Sequence, residues 1–523
     1  MRSLAPKVSY LEFLKLASPE AIVVISALVV LAIGLASRRT TVAGVVLPGE
    51  RPTRTAAART AAGWCSLVAA FGIIIGIGAV LMLPRDASLF GGMLVITPLT
   101  SLFKIICLAL AFFTVCLVRS EKSLRHPGEY LAIVLLATVG LMLLVGSEEL
   151  LLIFIGLELL GLSLYVMAAF DKADVRSAEA GLKYFLFGST ASAFTLFGIS
   201  LIYGMSGTTG LAAISDKLAT VPVQPLLATG IIMTLIGFAF KIAAAPFHLW
   251  APDAYQGAPV PGAAFIASGS KVASFVVLGK IVLIGFGPVH GSSGWHGMTA
   301  GWSPVLAVLA SLSILIGNLV ALAQTNVRRL LAYSAVAHAG YTLLGLIAGS
   351  RDGFSATLFY VTVYAITLVG AFGVVAVVRS ETGGDDLKNF SGLAGRAPLL
   401  AGCMAVFMLS LAGIPPLAGF FGKFYLFSAA LRAGGDYGLL WLVGLALFGS
   451  FVSLYYYLIV LKAIFVDAPY PTVSSLPDFP PSDLLQRMTV AVLAGAILFL
   501  GLMPDTLATR ILAAMPREIS KKV

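Results

Sequence analysis

Read for hydrophobic and polar positions, the chain is a succession of apolar stretches separated by short polar connections. Most are about 20 residues long, the length at which a helix crosses a bilayer. Fourteen can be counted, at roughly 19–37, 62–83, 98–118, 129–147, 149–170, 179–204, 225–250, 260–286, 303–324, 328–349, 354–379, 397–431, 438–466 and 487–508. The pattern predicts an all-α, polytopic membrane protein. Gly146, Ser147, Glu148 and Glu149 split the fourth stretch from the fifth. The twelfth is too long for one straight helix, and Pro415 and Pro416 inside it predict two half-helices. Pro246 interrupts the seventh in the same way.

Composition agrees: 59% of residues are hydrophobic and 11% charged, against about 25% charged in a soluble domain. The net charge of +10 is explained by topology and not by a nucleic-acid partner. Seventeen Lys and Arg fall in connections after odd-numbered stretches, from Arg38 and Arg39 through Arg328 and Arg329 to Lys462 and Arg487. Connections after even-numbered stretches carry only Arg85, Lys217, Arg351 and Arg432. Basic loops stay in the cytoplasm, so both termini are expected outside it. The polar start of the chain and its late apolar run predict a retained first helix and not a cleaved signal peptide. Cys65, Cys107, Cys116 and Cys403 lie singly in apolar runs, and no metal or redox centre is expected.

Charges inside the stretches then have to be sorted by depth. A central Lys costs about 2.5–3.5 kcal/mol on insertion scales. Lys241, Lys271 and Lys423 each lie eight or more residues from a boundary, where the choice is between proton transfer and a static buried ion pair. Lys104 and Lys280 lie near helix ends and are expected to snorkel to the headgroups. Lys183, one turn inside its stretch, is undecided by position. Glu158 is the one acidic residue at comparable depth and the expected counter-ion. Lysine in water keeps its proton up to about pH 10.4. Burial lowers that value by up to about 3–5 pH units and a neighbouring carboxylate restores it, which is what loading and release of a proton require. His338 and His248 add groups that titrate in the physiological range, although His248, beside Pro246, could serve equally as a partner for freed backbone carbonyls. Ser268, Ser270 and Ser274 around Lys271 could hold water or simply allow helices to approach closely. His126, His290 and His296 fall in loops without metal-site spacing.

Three runs carry a resemblance. Gly237 to Pro259 reads GFAFKIAAAPFHLWAPDAYQGAP and is followed by ASGSK ending at Lys271; Gln324 to Ser334 reads QTNVRRLLAYS, with His338 beyond it; Leu411 to Lys423 reads LAGIPPLAGFFGK. The chain from about Glu129 to Phe465 resembles the antiporter-like membrane subunits of respiratory complex I. Where one branch of that family has glutamate, this sequence has Lys423. A long C-terminal lateral helix, found in another branch, is not expected here.

The resemblance implies two inverted five-helix repeats, helices 4–8 (128–287) and 9–13 (303–466), after three N-terminal helices (1–127) and before a last one (487–508). It implies that Glu158 and Lys241 form a coupling ion pair, Lys271 is the central relay, His338 bridges onward, and Lys423 is the exit lysine. Lys183, in the run Gly181 to Tyr184, matches a further family lysine. The implied function is proton translocation within a proton-pumping NADH:quinone oxidoreductase of the bacterial inner membrane. NADH, FMN, iron–sulfur clusters and quinone would then sit in partner subunits, with none in this chain. The expected partners are the peripheral and membrane subunits of that complex, neighbouring antiporter-like subunits included, and membrane lipid. A multisubunit cation/proton antiporter, a hydrogenase-type complex and a purely structural scaffold are the alternatives.

Overall fold

The structure, a computed structural model, describes residues 10–41, 56–121, 124–220, 224–433, 438–469 and 481–516. Of the basic residues counted above, Arg51, Arg54 and Lys122 lie outside the described residues. A short helix α1 (Tyr10–Leu16) leads into α2 (Ser18–Thr41), α3 (Ala56–Leu81) and α4 (Pro98–Ser120). Next come α5 (Pro127–Gly146), α6 (Leu150–Ala168), α7 (Val175–Ser206) and the short α8 (Leu211–Leu218). The half-helices α9 (Pro225–Lys241) and α10 (Trp250–Gly257) precede α11 (Val260–Ala267) and α12 (Gly269–Lys280). The following segment holds α13 (Trp302–Leu322), α14 (Val327–Ile347), α15 (Arg351–Thr382) and the single turn α16 (Leu393–Arg396). It continues with the half-helices α17 (Pro398–Ala412) and α18 (Ala418–Arg432), then α19 (Leu440–Phe465), α20 (Pro481–Leu502) and α21 (Asp505–Ala514).

Twelve helices among the described residues are long and apolar enough to cross a membrane. The seventh and twelfth members of the expected series are each two short helices, as the prolines predict. Two features depart from the sequence reading. Residues 83–97 are not plain loop: β1 (Ala87–Leu89) and β2 (Leu94–Ile96) form an antiparallel hairpin. Its Leu89, Leu94 and Ile96 bury against Leu16, and the turn needs positive φ at Phe90, Gly91 and Gly92. The eighth stretch is interrupted at Ser268 and ends in a π-helical turn over Ile281–Gly285.

Connections alternate between two faces. On one, Leu94 bridges Ser147 and Glu149 bridges Gly210, the Trp295 amide donates to Gly438 O, and Arg351 donates to Leu512 O. On the other, Asn326 bridges Asp386, Arg328 donates to Ala258 O, and Gly392 donates to Ala463 O. The second face gathers the described connections after odd-numbered spans, which the sequence reading found basic.

Three helical segments are almost wholly enclosed by the others. The most apolar window is 100% buried in the α11–α12 span and 94% buried in α14 and in α15, whereas Phe71, Phe451 and Phe499 on outer helices are exposed. With lipid as apolar as leucine, such packing rests on close approach and not on hydrophobicity. Between α13 and α14 a Cβ on Gly317 would lie 2.5 Å from Ala337 N, and one on Gly340 2.7 Å from Ala310 O. Only glycine allows that contact.

Lys104 and Lys280 do not snorkel. Both side chains are 1% exposed; Lys104 meets Glu20 at 2.6 Å, and Lys280 meets Glu148 at 3.3 Å and donates to Val145 O at 3.0 Å. The reason is tertiary: α2 lies beside Lys104, and the end of α5 with the connection after it lies beside Lys280, so each head finds a carboxylate before it finds water. Arg328, counted above among loop charges, is likewise buried, against Asp385.

Asp385 accepts from Arg328, from Arg379 at 3.0 Å and from Asn326 at 2.6 Å. Burial raises its pKa, but the two guanidinium groups outweigh burial and hold the carboxyl below its usual range. A depressed carboxylate stabilises the fold above its unfolded pKa and loses that contribution as pH falls through the lower folded value. Asp385→Asn should therefore lower stability at pH 7 by about 3–5 kcal/mol, the cost of leaving Arg328 buried beside a neutral partner. In thermal unfolding of the detergent-solubilised assembly, the gap between wild type and variant should close below about pH 3.9. A gap that stays constant with pH would exclude the ion pair as its source.

Candidate functional site

The first helix break places Lys241. Helix α9 ends at this residue, and Ala243 adopts φ 57. Freed backbone groups in hydrocarbon must find partners inside the protein. Here the Ala244 amide donates to Ala239 O at 2.8 Å, the Ala245 amide to Ser313 Oγ at 2.8 Å, and the Trp250 indole to Phe240 O at 3.0 Å. His248 is buried in the break, and its Nδ1 has no hydrogen-bond partner. The ring also lies within reach of the Pro246 backbone carbonyl, one of the groups freed at the break, so the alternative that His248 serves freed carbonyls stays open.

Glu158 on α6 and Lys241 line one small cavity together with Tyr165, Ser192, Thr195 and Phe240. Its volume, about 10 Å³, is at the lower limit for holding one water. Glu158 accepts from the Ser192 hydroxyl and makes no ion pair within 4 Å among the described residues. Lys241 Nζ stands 5.6 Å from the Tyr165 ring centre. The expected pair is thus two charges facing a shared space without contact.

Lys271 lies one turn past the irregular Ser268, and its ammonium donates to Ala335 O on α14 at 2.5 Å with the Tyr364 ring 5.2 Å away. Of the three serines around it, Ser268 and Ser274 donate to carbonyls of their own segment. Only Ser270 Oγ is left buried without a partner. One turn along α14 from Ala335 stands His338. Its Nδ1 meets Tyr360 OH at 2.6 Å and its Nε2 meets Tyr457 OH at 2.9 Å; Tyr457 OH also meets Ser334 Oγ at 2.5 Å. Each imidazole nitrogen therefore has a hydroxyl that can donate or accept.

The second break places Lys423. Helix α17 ends at Ala412, Gly413 takes φ 86, and α18 resumes at Ala418 beyond Pro415 and Pro416. Lys423 folds back to donate to Ala412 O at 2.9 Å and to Ser450 Oγ at 2.8 Å, with the Tyr341 ring 5.2 Å away. The last carbonyls of a helix carry partial negative charge, and this ammonium uses them in place of a carboxylate. Tyr341 OH in turn receives a bond from Asn318. Lys271, His338 and Lys423 are thus separated by a cage of tyrosines and not by empty space.

Lys183 lies apart from this buried file. Its side chain is 40% exposed and pairs with Glu179 at 2.6 Å and with Asp253 at 2.7 Å. Asp253 also accepts from Arg329 at 2.7 Å. Sequence reasoning passed over Asp253, Ser192, Tyr360 and Tyr457. The hydroxyls within otherwise apolar stretches, at Tyr341, Tyr360, Tyr364, Tyr456 and Tyr457, were a usable signal, because a buried phenol in a membrane helix needs a polar neighbour.

Residues 147–453 match the family described as NADH:quinone oxidoreductase/Mrp antiporter, TM. The chain is 46% identical over 512 residues to a protein of Acidobacterium capsulatum named NADH-quinone oxidoreductase subunit N 2, covering 96% of this chain and 98% of that one. It is 42% identical over 405 residues to NADH-quinone oxidoreductase subunit N of Moorella thermoacetica, covering 77% and 80%. Among solved structures, a chain of respiratory complex I from Thermus thermophilus with bound aureothin superposes with a TM-score of 0.74 at 32% identity, over 95% of this chain and 100% of that one. A chain of an archaeal membrane-bound sulfane sulfur reductase, at 24% identity and a TM-score of 0.78 over 98% and 99%, shares the fold. The chain belongs to the NADH:quinone oxidoreductase/Mrp antiporter transmembrane family, among the sequences named subunit N.

Proposed function

We propose that the chain is a proton-translocating membrane subunit of an NADH:quinone oxidoreductase, driven by electron transfer in partner subunits that hold NADH, FMN, iron–sulfur clusters and quinone. One observation carries the reading. Lys271 and Lys423 are buried with carbonyl and hydroxyl partners and no carboxylate among the described residues, and Lys241 faces Glu158 without an ion pair. Static buried lysines in the same fold look different. Lys104 and Lys280 each have a carboxylate within 4 Å. An uncompensated buried cation is costly, so three of them along one file suit groups that exchange a proton better than groups that brace helices.

In this reading Lys241, its field set by Glu158, loads the proton; Lys271 and His338 carry it through the enclosed helices; and Lys423 delivers it at the second break. Lys183 stands on the basic face ahead of them. The two breaks fall in corresponding places of inverted repeats spanning 128–287 and 303–466. The basic face lies in the bacterial cytoplasm and both termini on the periplasmic side. The relatives named subunit N favour this over the antiporter and hydrogenase readings, and the unpaired lysines favour it over a scaffold.

The substitution Lys241→Arg keeps a charge but holds its proton at every working pH, since arginine's pKa lies above about 12. In sealed inverted vesicles with the complex assembled, pumping should fall several-fold; normal pumping would remove Lys241 from the path. Tyr457→Phe takes away the hydroxyl at His338 Nε2 and should cost about 1–3 kcal/mol of stability as well as lower pumping. Tyr456→Phe, which loses bonds to Asn318 and to the Tyr457 hydroxyl but none to His338 itself, should lower pumping less. Equal pumping in both would take the Tyr457 hydroxyl out of the file. For orientation, the four native cysteines are buried or half-buried and give little background. Lys388→Cys should therefore react with a membrane-impermeant thiol reagent only from the cytoplasmic side, and Lys217→Cys only from the periplasmic side. The reverse pattern would invert the topology.

A further inference from the structure

Asp253 is one place where the two halves meet on the basic face, beside the Arg328 bond to Ala258 O. It sits on α10, the half-helix that follows the first break. Its Oδ2 accepts from Lys183 of α7 at 2.7 Å, in the first half, while its Oδ1 accepts from Arg329 of α14 at 2.7 Å, in the second. Arg329 also reaches Gln256 Oε1, one turn further along α10, at 3.2 Å, and Lys183 has a second carboxylate in Glu179 at 2.6 Å. A single carboxylate thus pins α10 between an ammonium and a guanidinium that belong to different repeats.

Two observations say this fork is made to open. The side chains of Lys183, Asp253 and Arg329 are 40%, 24% and 29% exposed, so water can replace either arm, and partly exposed pairs contribute little net stability. The enclosed Lys104–Glu20 pair has no such option. Behind the fork, in the break between Asp253 and Lys241, the buried His248 presents an unpartnered Nδ1 and sets its ring against Tyr333, 6.1 Å between centres. Tyr333 is one turn along α14 from Arg329. A shift of α10 relative to α14 would therefore move the wall that covers this imidazole.

We propose that Asp253 is the latch on the basic-face access to Lys241: its Arg329 arm ties the break of the first half to α14 of the second, and release of that arm admits water to His248. Asp253 is a positioning residue, acting through His248 and Lys241. The inference rests on the proton-translocation reading above.

The test uses the whole complex in sealed inverted vesicles, with subunit content checked for each variant. Asp253→Asn and Arg329→Asp should assemble and oxidise NADH. Both should lose about two-fold or more in protons pumped per NADH, and an imposed pH gradient should relax about two-fold faster than in wild type, as loss of a coupling contact requires. The double substitution Asp253→Lys with Arg329→Asp rebuilds the inter-half arm with reversed polarity while Lys183 keeps Glu179, and it should recover most of both losses. A residue that merely stabilised the fold would lower assembly and leave the ratio and the relaxation rate unchanged. Normal ratio and relaxation in Asp253→Asn, or a double variant no better than the singles, overturns the latch. Should Asp253→Asn fail to assemble, Arg329→Gln opens only the inter-half arm and carries the same expectation and the same overturning result. Lys241→Arg run in parallel separates the two ideas. If it pumps normally, Lys241 is off the path and the reading of it on which the latch rests fails; if it is defective while Asp253→Asn is normal, the latch alone fails.

Discussion

Hydrocarbon offers no hydrogen bonds, and the site exists because two helices are broken where none can be had from solvent. An unsatisfied backbone group at that depth costs several kcal/mol, so each break has to be completed by other parts of the protein. At the first, a serine of α13 and an indole from α10 take the loose amide and carbonyl. At the second, the ammonium of Lys423 takes the last carbonyl of α17. In that second case the group that repairs the backbone is also the group assigned to move the proton. Changing the charge on Lys423 therefore changes what the helix end is bonded to.

Two populations of buried lysine follow from the same physics. Near the even-numbered connections, Lys104 and Lys280 are matched by Glu20 and Glu148, and a matched buried pair is expensive to separate. At the depth of the breaks, carbonyls, hydroxyls and aromatic faces replace carboxylates. A neutral dipole stabilises an ammonium less than a carboxylate does and does not become an orphaned anion when the proton leaves. In the proposed function, the difference in partner, and not in burial, separates bracing from transfer.

Much of the fold was legible because bilayer thickness imposes its own period on the sequence, and because Pro246, Pro415 and Pro416 announce their breaks locally. The deep positions of Lys241, Lys271, His338 and Lys423 could be read the same way. What stayed hidden depends on partners far along the chain. Nothing near Lys104 indicates that Glu20 will lie beside it, and nothing near Asp253 indicates Arg329, seventy-six residues on. The tyrosine cage was passed over because tyrosine counts as apolar in a span, although its hydroxyl is what His338 contacts. The interruption at Ser268 carries no proline or charge to mark it, only a serine in a run of small residues.

The bond from the Ala245 amide to Ser313 bears on how the chain can be built. The amide belongs to the seventh span and the hydroxyl to the ninth, so during synthesis the first break reaches the bilayer before its acceptor has been made. Until α13 is inserted, that amide must borrow water or another donor's partner. The helices ahead of α13 are for this reason not a self-sufficient unit. A chain truncated ahead of Ser313 would present a membrane with a helix end it cannot close.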